Sequence, residues 1–263
     1  MASLSTWLLS GRLSRRTAAC LLGAMSLWYL LLSFGDRLVS WRGGVWRAYF
    51  VPTPEIWDSI HRHGQLNPGG IWNYTQKRLE KTDTFRYLSS KGYDSLLDVS
   101  CNVGFMLASL LKSHPTAKHY GTDISRVMVE STRQNCPICT AAQFDLGNLR
   151  NPGVSPQDML HEVWPVQDVP RTFDVVLVSD VLIYISWGGI PPFFLRCECC
   201  CGIFRSWALS SQRRFLENVA SLAKDEVVFS RHQGSIIVTS MMEALGVPLE
   251  NGVWRFPGTA KAA

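Results

Sequence analysis

From residue 95 onward, short runs of consecutive apolar residues alternate with stretches in which apolar positions recur every three or four residues. Ser95 to Asp98 opens this pattern: a short apolar run ends in an acid and breaks into small, turn-prone residues, as a buried strand feeding a loop does. Gly104 then opens Phe105, Met106, Leu107, Leu110 and Leu111, which share one broad face of a helix. Lys118 to Ser125 predicts a second strand closing on Asp123, and Arg126 to Asn135 a helix stopped by Pro137. Ala141 to Leu146 predicts a third strand ending in Asp145, and Met159 to Val163 a short helix within an otherwise connecting stretch. Thr172 to Ile185, TFDVVLVSDVLIYI, is too continuously apolar for a half-exposed strand and suits a central parallel one. Ser211 to Lys224 gathers Phe215, Leu216, Val219, Leu222 and Ala223 on one helical side; Asp225 to Ser230 reads as the fifth strand, Ser235 to Leu245 as a helix and Gly252 to Phe256 as a short final strand. Strands alternating with helices predict an α/β domain, Rossmann-like and doubly wound, with a mainly parallel sheet.

The amino-terminal fifth of the chain follows a different rule. Thr17 to Phe34, TAACLLGAMSLWYLLLSF, runs for eighteen residues without a charge, close to the ~20 needed to span a bilayer. Arg12, Arg15 and Arg16 precede it, which by the positive-inside bias puts the N-terminus in the cytosol and the domain across the membrane. Trp28, Tyr29, Trp41 and Trp46 suit interfacial positions. The expectation is an N-terminal transmembrane helix, with residues 1–50 as anchor and juxtamembrane segment and 51–263 as the folded domain. It implies a single-pass membrane protein, for instance of the endomembrane system or Golgi with a lumenal domain. A cleaved signal peptide and an organelle transit peptide are the rival readings.

Charge adds little to the domain itself. The net +5 of the 263-residue chain is carried by residues 1–50, which hold six Arg and one acid. The rest has 20 basic and 20 acidic residues (26 − 6 and 21 − 1), so no basic face for nucleic acid is indicated. Eight cysteines in a chain of this length do not make a disulfide framework. Cys136 and Cys139 form one CxxC without a second pair of workable geometry, so no metal site is expected and Cys139 is taken to lead into the third strand. Residues 51–94, with Pro52, Pro54, His61, His63 and Pro68, read as a loop followed by a helix, the two histidines being solvated.

Chemistry concentrates at strand ends. A dinucleotide fingerprint would put glycines at 100, 102 and 105, where the chain has Ser100, Asn102 and Phe105, so a nicotinamide cofactor is disfavoured. Asp123 ends the second strand about 20 residues past the loop, where an acid accepts hydrogen bonds from ribose hydroxyls; capping of the next helix is the other reading. Asp98, Asp123 and Asp145 together fall at the carboxyl ends of three strands, where ligands bind in such sheets.

The segment SLLDVSCNVGF resembles the first motif of class I S-adenosylmethionine (SAM) dependent methyltransferases, an acid followed by three glycines at alternate positions. Asp98 and Gly104 match, while Ser100 and Asn102 depart; Asn is a mild replacement because it visits positive φ readily. FDVV followed by SDVLIYI is similar to the fourth-strand motif of small-molecule methyltransferases, with Tyr184 where a His is usual. The resemblance implies SAM as cofactor, bound by Asp98, Ser100, Asn102, Gly104, Asp123, Ile124, Asp145, Leu146 and Ser179. Asp145 would meet the adenine amino group and Leu146 flank the ring. Asp180 and Tyr184, placed after the fourth strand, are the candidates for a catalytic base, with Asp180 also suited to capping the following turn. A segment ahead of the first motif often covers the cofactor in this family, which gives Trp72 and Tyr74 a place there, or in ordinary packing. The acceptor is left open among small molecule, lipid and glycan. Two other classes remain: a non-catalytic interaction module that keeps the fold, and another nucleotide-binding enzyme. Ser186 to Ser210, rich in Gly, Pro, aromatics and Cys without periodicity, reads as an insertion. A substrate loop, a membrane-contacting hairpin and an unspliced intron are the readings of it, and its composition suits the last.

Overall fold

The computed structural model describes residues 53–62, 75–150, 155–164, 169–178, 213–230, 245–250 and 252–258, with residues 23, 26, 153, 210, 242 and 243 besides. Helix α1 is Pro54–Arg62, α2 Gln76–Leu79 and α3 Asp83–Ser90. Strand β1 (Ser95–Asp98), helix α4 (Phe105–Ser113), strand β2 (Lys118–Asp123), helix α5 (Arg126–Asn135) and strand β3 (Thr140–Gln143) follow. A 3-10 turn at Leu146–Arg150 precedes α6 (Pro156–Val163), β4 (Phe173–Val178), a helix α7 at 213–221, β5 (Ala223–Phe229), β6 (Leu249–Glu250) and β7 (Val253–Pro257).

The strands form one sheet in the order β3-β2-β1-β4-β5-β7-β6. The pairings of β3, β2, β1, β4 and β5 are parallel, and β7 runs antiparallel to both β5 and β6. The Rossmann-like, mainly parallel α/β fold is therefore present. Its strand order reverses beside β1, which pairs with β2 on one side and β4 on the other. At that switch point the connections leave in opposite directions and open a crevice beyond the carboxyl ends of the strands.

Alternation along the central strands feeds two cores. Leu97, Val176, Val178, Val227 and Phe229 pack on one face with Phe173, Leu160, Trp164, Phe215 and Val219, under α6 and α7. Leu96, Val175, Leu177 and Val228 pack on the other with Leu88, Leu107 and Leu110, under α3 and α4. All of these strand residues are fully buried, each contributing about 1.5–3 kcal/mol of apolar transfer. That two-sided burial explains why TFDVVLV lacks a polar face.

Several expectations change in detail. Residues 54–62 are a helix, not a loop: Thr53 Oγ1 accepts from the Ile56 N–H at 3.4 Å and Pro54 sits in the first turn, where its missing N–H costs nothing. Residues 76–90 make two helices rather than one, each started by a threonine cap, Thr75 and Thr82. β3 stops at Gln143, short of Asp145, because Asp145 Oδ1 and its carbonyl take the N–H groups of Gly147 and Asn148 and turn the chain. β5 starts at Ala223, with Leu222 in the turn that ends α7, and both side chains are fully buried. Cys136 and Cys139 are joined by a disulfide that links the end of α5 to the start of β3. The predicted membrane span, Thr17 to Phe34, lies outside the described residues apart from Gly23 and Ser26. No helix among the described residues is long and apolar enough to cross a membrane.

Candidate functional site

The loop from Val99 to Gly104 leaves β1 at the switch point and turns under the end of β2. Two of its residues take the left-handed conformation, Asn102 at φ 51° and Gly104 at φ 77°. Asn at 102 suits this conformation, which it enters more readily than most residues. At 104 no substitute fits, since a Cβ would lie 2.8 Å from Thr132 Cγ2 and 3.0 Å from its Cα.

Side chains from α5 and β2 hold this loop from both sides. The Asn102 N–H donates to Asp123 Oδ2 at 3.0 Å, and the Asn102 carbonyl accepts from Thr132 Oγ1 at 2.7 Å. The Val103 carbonyl accepts from Asn135 Nδ2 at 2.8 Å. The Cys101 N–H donates to the Thr122 carbonyl at 2.9 Å, tying the loop to the end of β2 beyond the strand pairing. Gly121 allows the close approach that this needs: a Cβ there would fall 2.8 Å from Leu107 and 2.9 Å from Cys101 Sγ. Below Gly104, α4 begins without a side-chain cap, so its first N–H groups are left for a ligand or water.

Asp123 sits at the centre of these contacts, 6% exposed at the carboxyl end of β2. Its Oδ1 accepts from the Ser125 N–H at 2.9 Å, opposite the Asn102 bond to Oδ2. Burial pushes its pKa up to about 6; the Ser125 and Asn102 N–H groups pull against that shift, and the negative charge of Asp58 adds to it. Each oxygen of an ionised carboxylate accepts more than one hydrogen bond, so both keep capacity for a further donor.

Asp98 is buried at the end of β1, where its Oδ1 takes the Ser100 N–H at 3.4 Å. Beyond β3, Asp145 is half-buried and spends one oxygen on the Gly147 N–H at 2.8 Å. The Ile124 carbonyl accepts from Gln143 Nε2 at 2.9 Å, which joins the end of β2 to that of β3. The structure thus brings Asp98, Ser100, Asn102, Gly104, Asp123, Ile124 and Asp145 to one end of the sheet. Leu146 opens the 3-10 turn there. Ser179, Asp180, Tyr184, Trp72 and Tyr74 lie outside the described residues, as does the insertion apart from Ser210.

Helix α1 adds residues that the sequence pattern did not flag. Asp58, 9% exposed, accepts at Oδ1 from the Ser125 hydroxyl at 2.6 Å and from the Val127 N–H at 3.3 Å. His61 is not solvated: it is 6% exposed and stacks on Trp57, with ring centroids 5.8 Å apart. Its burial lowers its pKa to about 4 against the opposing charge of Asp58, so the ring is neutral at physiological pH, and Nδ1 has no partner among the described residues. The signal was available in Thr53-Pro54-Glu55, a cap, a first-turn proline and a first-turn acid ahead of Ile56, Trp57 and Ile60.

No family model and no curated protein matches the chain. Among solved structures it is similar to magnesium protoporphyrin IX methyltransferase (ChlM) from Synechocystis PCC 6803 with bound SAH, at 17% identity over 79% of each chain and a TM-score of 0.42. It is also similar to a TehB-like SAM-dependent methyltransferase from Corynebacterium glutamicum, at 16% identity over 73% of this chain and 83% of that one, with a TM-score of 0.39. A third is the sugar N-methyltransferase KedS8 from Streptoalloteichus, at 16% identity over 68% of this chain and 56% of that one, with a TM-score of 0.35. These three solved structures are methyltransferases.

Proposed function

We propose that this protein is a SAM-dependent methyltransferase acting on a small-molecule, lipid or glycan acceptor. The observation that carries the reading is the buried carboxylate of Asp123 at the carboxyl end of β2, bonded to a left-handed loop at the switch point of the sheet. In this reading Asp123 accepts from the two ribose hydroxyls, and Asp145 with Leu146 meets the adenine. Asp98, Ser100, Asn102 and Gly104 shape the loop against the rest of the cofactor, with Ile124 and Ser179 beside it. Bound SAM supplies an already activated sulfonium methyl group, so the chain has only to align the acceptor and exclude water. A base is needed for a weakly nucleophilic hydroxyl. Asp180 and Tyr184, which follow the end of β4 in sequence, are proposed to supply it.

Calorimetry of the full-length chain in mild detergent with SAM tests the assignment. Asp123→Ala removes charge-assisted hydrogen bonds, so binding should weaken by about 1.5–3 kcal/mol. Unchanged affinity in a folded variant would refute the role. Binding without turnover against a broad acceptor panel would favour the non-catalytic module instead.

Residues 17–34 are proposed as a membrane anchor, supported by their eighteen uncharged residues and the arginines ahead of them. Carbonate extraction tests this: full-length protein should stay with the membranes. Release at unprocessed mass would overturn the anchor, and a shortened soluble product would identify a cleaved targeting peptide.

A further inference from the structure

We propose that Asp58 is a positioning residue for the cofactor site: from α1 it holds Ser125 and the first turn of α5, and through them it orients the carboxylate of Asp123. The inference rests on the reading of Asp123 as the ribose acceptor.

Helix α1 precedes the alternating strand-helix unit, yet Trp57, Asp58, Ile60 and His61 of its nine residues are buried. A buried carboxylate is costly unless it is bonded. Asp58 meets that requirement at the N-terminus of α5, where the helix end favours an anion and offers unpaired N–H groups. One oxygen takes both the Ser125 hydroxyl and the Val127 N–H, while Arg62 lies 3.5 Å from the other.

Ser125 therefore stands between two carboxylates. Its hydroxyl proton goes to Asp58 and its N–H to Asp123. The hydroxyl oxygen in turn accepts from the Met128 N–H at 3.4 Å, as the cap of α5. A hydroxyl has a single proton, so the Asp58 bond fixes the Ser125 side chain and with it the turn that carries the N–H toward Asp123. Ser125 and Thr132 are both fully buried, and Thr132 reaches the loop from the same helix. A shift at the start of α5 would thus be felt at both ends of the Asn102 contact.

Asp58 acts through charge as well as geometry. Among the described residues, the other ionisable groups near this pair of carboxylates are Asp98 and the neutral Cys101 thiol on the β1 side and Arg62 and the neutral His61 beside Asp58, while Arg126 and Glu130 of α5 pair with each other at the surface. Asp58→Asn keeps an oxygen for Ser125 and Val127 but removes the charge. Asp58→Ala removes both.

The test is SAM affinity of the full-length chain and both variants, by calorimetry from about pH 5 to 8, a range in which a raised Asp titrates. At about pH 7.5, Asp58→Ala should bind about tenfold more weakly, the scale of one lost buried hydrogen bond, and Asp58→Asn within about threefold of the unsubstituted chain. The acid midpoint of binding should move lower in Asp58→Asn, because a negative neighbour has been removed. Equal affinity in Asp58→Ala and the unsubstituted chain would overturn the proposal, as would equal losses in both variants with an unmoved midpoint. If Asp58→Ala does not fold, Ser125→Ala decides, since it removes the same hydroxyl and keeps the N–H to Asp123: a comparable loss supports the proposal and an unchanged affinity overturns it. An unsubstituted chain that binds no SAM at any pH would overturn the ribose reading, and this inference with it.

Discussion

Lowering the pH should weaken SAM binding through one group, Asp123. Its pKa of about 6 in the free protein reflects burial at the end of β2, which the N–H groups of Ser125 and Asn102 only partly offset. In the proposed site only the ionised carboxylate can accept from both ribose hydroxyls while keeping its two backbone N–H bonds, so apparent affinity scales there with the ionised fraction. One pH unit below the midpoint that fraction is about one eleventh, and the apparent dissociation constant rises about elevenfold. Near pH 7.5 the group is more than nine-tenths ionised and affinity is close to its plateau, by the same relation at about 1.5 units above the midpoint. The cofactor's own α-carboxyl and α-amino groups titrate near about 3.5 and 8, outside the window between 5 and 7. Acid unfolding through this group does not imitate the effect. A carboxyl whose value rises from 3.8 to about 6 on folding keeps its proton in the folded chain after the unfolded chain has released it. Stability from Asp123 is therefore fully present below about 4 and lost as pH rises through about 6, opposite to the binding trend. Calorimetric titrations across this range, with circular dichroism to confirm folding, give the profile. A flat affinity from pH 8 to 5 in folded protein would refute the reasoning, as would a profile that survives in Asp123→Asn.

Gly104→Ala should lose about 1–3 kcal/mol of stability, because a left-handed non-glycine backbone is strained and the new Cβ meets Thr132 at 2.8 Å; an unchanged melting temperature would contradict the loop geometry. Thr132→Val keeps the shape but withdraws the hydroxyl from the part-buried Asn102 carbonyl, at a cost of about 0.5–1.5 kcal/mol, and should weaken SAM binding; equilibrium denaturation and calorimetry measure the two effects. Deleting residues 188–209 should leave SAM affinity unchanged. If the segment covers the acceptor, turnover is lost while affinity holds, and if it is an unspliced intron, transcript sequencing finds it missing.

Local pattern alone determined much of this molecule. Ser95 to Gly104 announced a strand and a ligand loop because an apolar run, an acid and small residues are adjacent in sequence. Arg126–Asn135 was readable as a helix, with Pro137 marking its end, although its cap, Ser125, was read as part of the preceding strand. Asp98, Asp123 and Asp145 could be placed together because parallel strands joined by helices bring all their carboxyl ends to one edge. Other features needed the folded chain. Pro52 and Pro54 made residues 51–62 look like a loop, although a proline in the first turn of a helix is no obstacle, and the apolar face of α1 finds its partner only in the tertiary structure. The means by which a loop lacking two glycines is held was equally hidden. Thr132 and Asn135 read as ordinary positions of an amphipathic helix, and only the fold sets them against the carbonyls of Asn102 and Val103, 30 and 32 residues away. The same holds for Asp58 and Ser125, 67 residues apart. Periodicity records which face of an element turns inward, a property of neighbours in sequence. A hydrogen bond between distant residues depends on the packing of whole elements, and the tertiary structure alone decides it.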